Sequence, residues 1–212
     1  MLIVQKYEET SIEGLRTVAQ NICRMRQAGN ALVVVMSPMA GETERLVALA
    51  REVSAAYKMH EHALNMLLAT GGMMSSALLA MLLQTLKCPA ISFTGGQAGI
   101  LTYGAFFSNR KGAGIKRIEP WRLQKFLKLR ITPIVAGSQG QDEEENITAL
   151  GHSGSDLTAV ALAVALKADV CEIYTGNENR VRFGIKALQA ETLELAKKGK
   201  ARLVVVDFPL TT

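Results

Sequence analysis

Lys6, Glu8, Glu9, Thr10 and Ser11 stand where an apolar run, Leu2 to Lys6, gives way to a loop and then a helix. At such turns α/β enzymes commonly place glycines, so that backbone N–H groups can approach a phosphate. Lys6 could neutralise an anion there, or it could end its strand in solvent. Thr10 and Ser11 could offer hydroxyls to a ligand or serve only to open the helix. Glu8 and Glu9 work against phosphate chemistry, because two carboxylates in a tight turn repel a polyphosphate and hold the backbone away from it. The other charged candidate is Asp156, which begins a helical pattern after Gly154-Ser155. A carboxylate in a first helical turn has a sufficient structural reason in capping and in the helix dipole.

The elements that must position these groups follow from periodicity. Short apolar runs at Leu2–Lys6, Leu32–Ser37, Ala90–Thr94, Ile131–Ala136, Val170–Tyr174 and Arg202–Asp207 predict strands. Helical spacing covers Ile12–Arg26, Thr43–Ala56, Ala63–Leu86, Pro120–Leu129, Asp156–Lys167 and Glu191–Lys198. Strands alternating with helices predict an α/β fold, a three-layer α/β/α sandwich around a mostly parallel sheet. Gly95–Ile118 lacks helical period and reads as a hairpin or lid, and Gln139–Asn146 as a charged loop. Ligands of open parallel sheets sit beyond the carboxyl ends of the strands. The candidate loops are therefore Lys6–Ser11, Ser37–Gly41, Thr94–Gly99, Gly137–Ser155 and Thr175–Arg180.

Composition sets the outer bounds. At 212 residues, 49% of them hydrophobic and 20% charged, the chain suits one domain with a sizeable core. Cys23, Cys88 and Cys171 are far apart and odd in number, as expected of reduced core thiols in a cytoplasmic protein. The apolar stretch Ala63–Leu86 is broken by Thr70-Gly71-Gly72, Ser75-Ser76 and Gln84-Thr85, so it reads as a buried helix and not a membrane span. His60 and His62, two residues apart, fall on different helix faces, and no metal site is expected. The methionines around Met73-Met74 read as helix core. The net charge of +5 is uneven: Asn109–Arg130 carries +7 and leaves the remainder at −2. Such a segment could meet an acidic partner or nucleic acid. With only Trp121 and Phe126 as aromatic platforms, nucleic acid is the weaker reading, and a solvated surface the plainer one.

Several motifs together carry a family resemblance. Lys6-Tyr7-x-x-Thr10-Ser11 is followed by Thr70-Gly71 with Ser75, then by Ser92-Phe93-Thr94-Gly95-Gly96-Gln97-Ala98-Gly99. Further along come Val135-Ala136-Gly137-x-Gln139-Gly140, Leu150-Gly151-x-x-Gly154-Ser155-Asp156-x-Thr158 and Ala168-Asp169-Val170-x-Glu172-Ile173-Tyr174-Thr175. In order and spacing these resemble the catalytic domain of the aspartate kinases, within the amino-acid kinase family. The likeness covers roughly residues 1–175, with a further piece near Glu194–Phe208.

The resemblance implies the amino-acid kinase fold, with Lys6 and Asp156 as the catalytic pair, active or vestigial. It places substrate or anion contacts at Thr10, Ser11, Ser37, Gly95, Gln97, His152 and Ser155, and degenerate nucleotide contacts at Tyr174 and Thr175. The departures fall on the chemistry. Glu8 and Glu9 replace the family's two glycines, Gly72 its substrate-pairing glutamate, and His152 its substrate-clamping arginine, a bidentate role imidazole cannot fill. The nucleotide-binding segment is shortened after about residue 176, and the chain ends at Thr212, where regulatory ACT domains would begin, so none is expected within it. Two functions are compatible with this pattern. One is a pseudokinase that assembles with itself, as a dimer, or with a competent kinase, or that binds a small anionic metabolite; it needs no cofactor. The other is an active kinase using ATP and Mg to phosphorylate aspartate or another small acceptor.

Overall fold

A computed structural model describes residues 1–54, 61–103, 114–151 and 153–208. Six parallel strands form the main sheet: β1 (Leu2–Tyr7), β2 (Ala31–Met36), β3 (Ala90–Phe93), β6 (Thr132–Ala136), β9 (Val170–Thr175) and β10 (Leu203–Asp207), in the order β10-β9-β1-β2-β6-β3. All five pairings are parallel. These are the six strands expected from the sequence, with ends displaced by a residue or so. The central strands are buried along nearly their whole length, which is why they read as continuous apolar runs without alternation.

Helices cover both faces. Helices α1 (Ile12–Gln27) and α3 (Glu61–Thr85) lay Leu15, Val18, Ile22, Leu79 and Leu83 against Ile3, Leu32, Val34 and Met36. On the other face α4 (Trp121–Lys128), α5 (Gly154–Leu166) and α7 (Ala190–Gly199) bring Leu123, Val160, Leu162 and Ala196 to Val4, Val33 and Val35. Helix α5 is buried nearly all round, so its sequence is apolar without a polar stripe. Helix α2 (Glu42–Val53) packs beside α3. Among the described residues α3 alone has the length and apolarity to cross a membrane; here it lies along the sheet, with Leu79, Ala80 and Leu83 in the core.

A second, four-stranded sheet was only partly foreseen. It consists of β4 (Ile100–Thr102), β5 (Ile115–Ile118), β7 (Gln139–Gln141) and β8 (Ile147–Ala149), ordered β5-β4-β7-β8. The β4–β5 antiparallel pair is the expected hairpin, whose tip lies outside the described residues. The stretch Gln139–Asn146, expected as a charged loop, instead carries β7 and the turn into β8, because Asp142 folds its acidic turn inward. Its carboxylate accepts from the backbone N–H groups of Glu144 and Asn146 at 3.0 and 2.9 Å. Helix α6 (Glu178–Phe183) and a 3-10 turn at Gly184–Ala187 were not anticipated. Six residues are too few to display a helical period; the legible signal was Asn177, whose side chain caps the helix by accepting from the Arg180 N–H at 3.1 Å. The three cysteines are unpaired.

Leu83 is fully buried between α3 and the sheet. Truncation to alanine should lower the unfolding free energy by about 2–5 kcal/mol, read as a lower urea midpoint at unchanged slope.

Candidate functional site

The order of the sheet points to one crevice. From β1 the chain crosses through α1 to β2 on one side, whereas β9 arrives on the other side through α5. The connections therefore diverge between β1 and β9, and a cleft opens there at the carboxyl ends of the strands. Lys6 stands at that end of β1 on the face covered by α5. Asp156 lies in the first turn of α5, directly above it.

Lys6 Nζ lies 2.9 Å from Asp156 Oδ1, and the two residues are only 3% and 1% exposed. The contact pairs the two charges directly. The other oxygen, Oδ2, accepts from Arg180 Nη2 at 2.8 Å. Arg180 reaches in from α6 and also pairs with Glu8. Glu8 Oε1 lies 3.4 Å from Lys6 Nζ, and its second oxygen accepts a hydrogen bond from the Thr175 hydroxyl. Two cations and two carboxylates thus close on one another as a neutral quartet. Burial alone would raise the Asp156 pKa, but Lys6 and Arg180 outweigh it and hold the carboxyl below its usual range. Arg180 is likewise held above its ordinary value: burial opposes its charge, while Asp156 and Glu8 more than restore it. Behind the quartet, burial and the neighbouring carboxylates Asp156 and Glu172 push the Cys171 thiol up to about 12, so it is no nucleophile at neutral pH.

Backbone groups complete the closure. The Glu8 N–H, where a glycine-rich turn would offer a donor to phosphate, instead donates to the Tyr174 carbonyl at 3.2 Å. The Asn177 N–H donates to the Thr175 hydroxyl at 3.0 Å. The described residues therefore do not fit a magnesium-bound triphosphate at this position. The carboxylates that would hold the metal are matched to Lys6 and Arg180, and the first loop donor is used.

The remaining expected site residues divide into three groups. Ser37 and Ser155 join the quartet's border: their hydroxyls lie 2.9 Å apart, both buried, at the end of β2 and beside Asp156. That approach depends on Gly137, since a Cβ there would lie 2.7 Å from Ser155 Cβ. Thr10 is buried nearby, its carbonyl accepting from the Ala40 N–H at 3.2 Å, while Ser11 caps α1 by accepting from the Gly14 N–H at 3.0 Å. A second group serves structure elsewhere. The Gln97 side chain closes its own loop onto the Thr94 N–H at 3.1 Å, and the Gly95 N–H points to Gln139 Oε1 at 3.4 Å. Tyr174 contributes its carbonyl here, but its ring lies on the opposite face, stacked on Tyr7 at 4.5 Å. There it enters a polar network of Gln5, Glu172 and Asn21, and burial raises both tyrosine pKa values so that the hydroxyls stay donors. The third group is His152, which lies outside the described residues, as do His60 and the basic pair Arg110 and Lys111. Gly72 packs on the β6–β7 turn: a Cβ would stand 3.2 Å from the Gly137 carbonyl oxygen. Among the described residues no cluster of three metal-ligating side chains occurs.

Arg180 is the residue that sequence reasoning missed. Its loop was marked as a candidate, yet the chain beyond about residue 176 read only as a shortened nucleotide segment. The available signal was arithmetic: a buried Lys6–Asp156 pair with Glu8 added needs another cation within reach.

Comparison with known proteins agrees with this geometry. The amino acid kinase family pattern matches residues 1–179. An aspartate kinase of Pseudomonas fluorescens is 45% identical over 177 residues, 82% of this chain and 42% of that protein. An aspartokinase of Mycobacterium tuberculosis is 44% identical over 178 residues, with 82% and 41% covered. The chain thus spans about two fifths of the length of the curated relatives it matches. The crystal structure of aspartate kinase from Synechocystis superposes with a TM-score of 0.81 at 36% identity, covering all of this chain and 39% of the other. Aspartokinase III of E. coli in complex with aspartate and ADP shares the fold, at TM-score 0.77 and 22% identity.

Because the folded pKa of Asp156 is depressed, its contribution to stability is complete above the unfolded value of about 3.9 and is lost as pH falls from there through the folded value. Asp156→Asn should cost about 3–5 kcal/mol at neutral pH and flatten the acid limb of a urea-midpoint profile. An unchanged acid limb would place that dependence elsewhere.

Proposed function

This chain belongs to the amino acid kinase family, and from that premise we propose that it is an aspartate-kinase-like protein that does not transfer phosphate. The carrying observation is Arg180, which engages both Asp156 and Glu8 while the Glu8 N–H is turned to Tyr174. Electrostatic stabilisation is the main resource of phosphoryl transfer, and it requires cations and N–H donors left open to the moving phosphoryl group. Here both cations are matched by acids, so neither is left uncompensated for a phosphoryl group. On this reading the nucleotide segment is shortened after about residue 176 within a single domain spanning 1–212. Lys6 and Asp156 then persist as a structural pair. The protein acts through assembly, or through a small anionic metabolite bound at the crevice rim near Ser37 and Ser155.

The test is direct. Purified protein with aspartate, ATP and magnesium should form no hydroxylamine-trappable acyl phosphate, and millimolar Mg-ATP should leave its melting temperature unmoved. Aspartate-dependent ADP release at an ordinary enzymatic rate would establish the competing reading, an active kinase with ATP and Mg as cofactors.

Assembly is supported by α3, where Met66, Met74 and Met81, expected in the helix core, are instead exposed because they fall on the side turned away from the sheet. Sedimentation velocity should find a dimer. The exposed-site variant Met74→Glu/Met81→Glu should shift it to monomer without lowering its melting temperature.

A further inference from the structure

The basic segment that stood out in the sequence is not absorbed by the crevice, and part of its charge is spent locally. Lys116 pairs with Glu143 and Arg117 with Glu119, while the Arg122 guanidinium lies 5.3 Å over the Phe93 ring. Lys128 and Arg130 behave differently. They stand exposed at the amino end of the sheet, opposite the quartet, where the ends of α1 and α4 meet the starts of β2 and β6. A cleft of about 320 Å³ opens there, lined by Arg26, Lys128 and Arg130, with Leu32, Leu127 and Ile131 as its apolar wall and no acidic side chain.

The plainest explanation of these cations is the helix dipole, since two helix C-termini converge at the cleft. It accounts for only part of the charge. Two C-termini bring about one negative charge between them, against three formal positive ones. The carbonyls that would repel an anion are also engaged: Arg26 and Met25 accept from the Gly29 and Asn30 N–H groups, and Leu127 and Phe126 from Arg130 and Ile131. Arg26 is held rigidly. Its Nη1 donates to the Pro89 carbonyl at 2.7 Å and to the Thr132 hydroxyl at 2.9 Å, and its Nη2 to the Arg130 carbonyl. Its Nε–H has no acceptor among the described residues, which leaves the planar fork an unspent donor edge.

We infer that this cleft binds a small organic oxyanion, a carboxylate or a phosphate ester, with its charge set among Arg26, Lys128 and Arg130 and its carbon skeleton against Leu127 and Ile131. The cleft's volume suits a metabolite of modest size. A fixed arginine supplies geometry, and two exposed cations supply attraction and speed of capture. The acidic lining that would mark a cation site is missing, and the stacking aromatics of a single-strand channel do not line the cleft.

Amide chemical-shift titration with inorganic phosphate, and separately with succinate, tests the inference against sodium chloride at matched ionic strength. Saturable shifts at Ala28–Asn30 and Arg130–Thr132 with either probe support it. The Lys128→Ala/Arg130→Ala variant, altered only at exposed side chains, should then bind about tenfold more weakly or worse while melting at the same temperature. Shifts that follow ionic strength alone, or that survive in the variant, overturn it. So does tighter, steeply salt-dependent binding of a single-stranded oligonucleotide through the same residues, which would make the surface a nucleic-acid contact.

Discussion

A buried ammonium and a buried carboxylate hold β1 and α5 together, and most of the site's geometry descends from that contact. Neither ion could be left alone at this depth, because the cost of keeping one unpaired charge out of water exceeds what the surrounding packing would return. The pair therefore fixes which residue of α5 faces the strand, and with it the depth at which the helix begins. Ser155 is carried to Ser37, and Gly137 is required so that the helix can approach that far. Glu8 then enters a space whose charge is already balanced. It could not remain there without a second cation, and α6 delivers one as Arg180.

The same constraint divides the faces of the sheet. Lys6 alternates with Tyr7 along β1, so the strand sends its charge to the α5 side and its aromatic ring to the α1 side. Tyr7, Tyr174 and Phe208 gather on the α1 side, and Gln5 and Asn21 satisfy the phenolic oxygens. Two polar clusters thus lie back to back across one layer of backbone, one a quartet of ion pairs and the other built from phenols and amides around the Glu172 carboxylate. Each polar atom must find its partner on its own side, because the strand offers no passage between them. This explains why Tyr174 and Thr175, adjacent in sequence, enter different networks.

The fold was legible in the sequence to the extent that burial left a period. All six strands of the main sheet and six helices were marked by apolar runs and helical spacing, since each is long enough to repeat. What escaped was short. Strands β7 and β8 have three residues each and sit beside a run of acids, so their backbone pairing left no trace in hydropathy. Helix α6 is a turn and a half whose work is done by one capping asparagine. At the site, Lys6 and Asp156, named together from the sequence, lie in contact, and Glu8 stands beside them. Its effect was misjudged in kind. In the sequence it appeared as a free repulsive charge, whereas in the fold it is a bound counter-ion. Gln97 was misplaced for the opposite reason: a polar side chain in a glycine-rich loop can be spent on the loop itself.

The two ends of the sheet now present opposite electrostatic states, and this is the reason to seek recognition at the quiet end. At the carboxyl end, the four charges of the quartet are matched to one another, and an incoming anion would have to displace Glu8 or Asp156 from Arg180 to gain a cation. That exchange breaks one charge-assisted contact for each one it forms and leaves a carboxylate without its cation, so the closed arrangement persists unless the ligand brings several charges at once. At the amino end, the cations exceed the local helix dipoles and face no acid. An anion arriving there displaces only water. Uncompensated positive charge therefore lies at the base of the sheet and not at its carboxyl end.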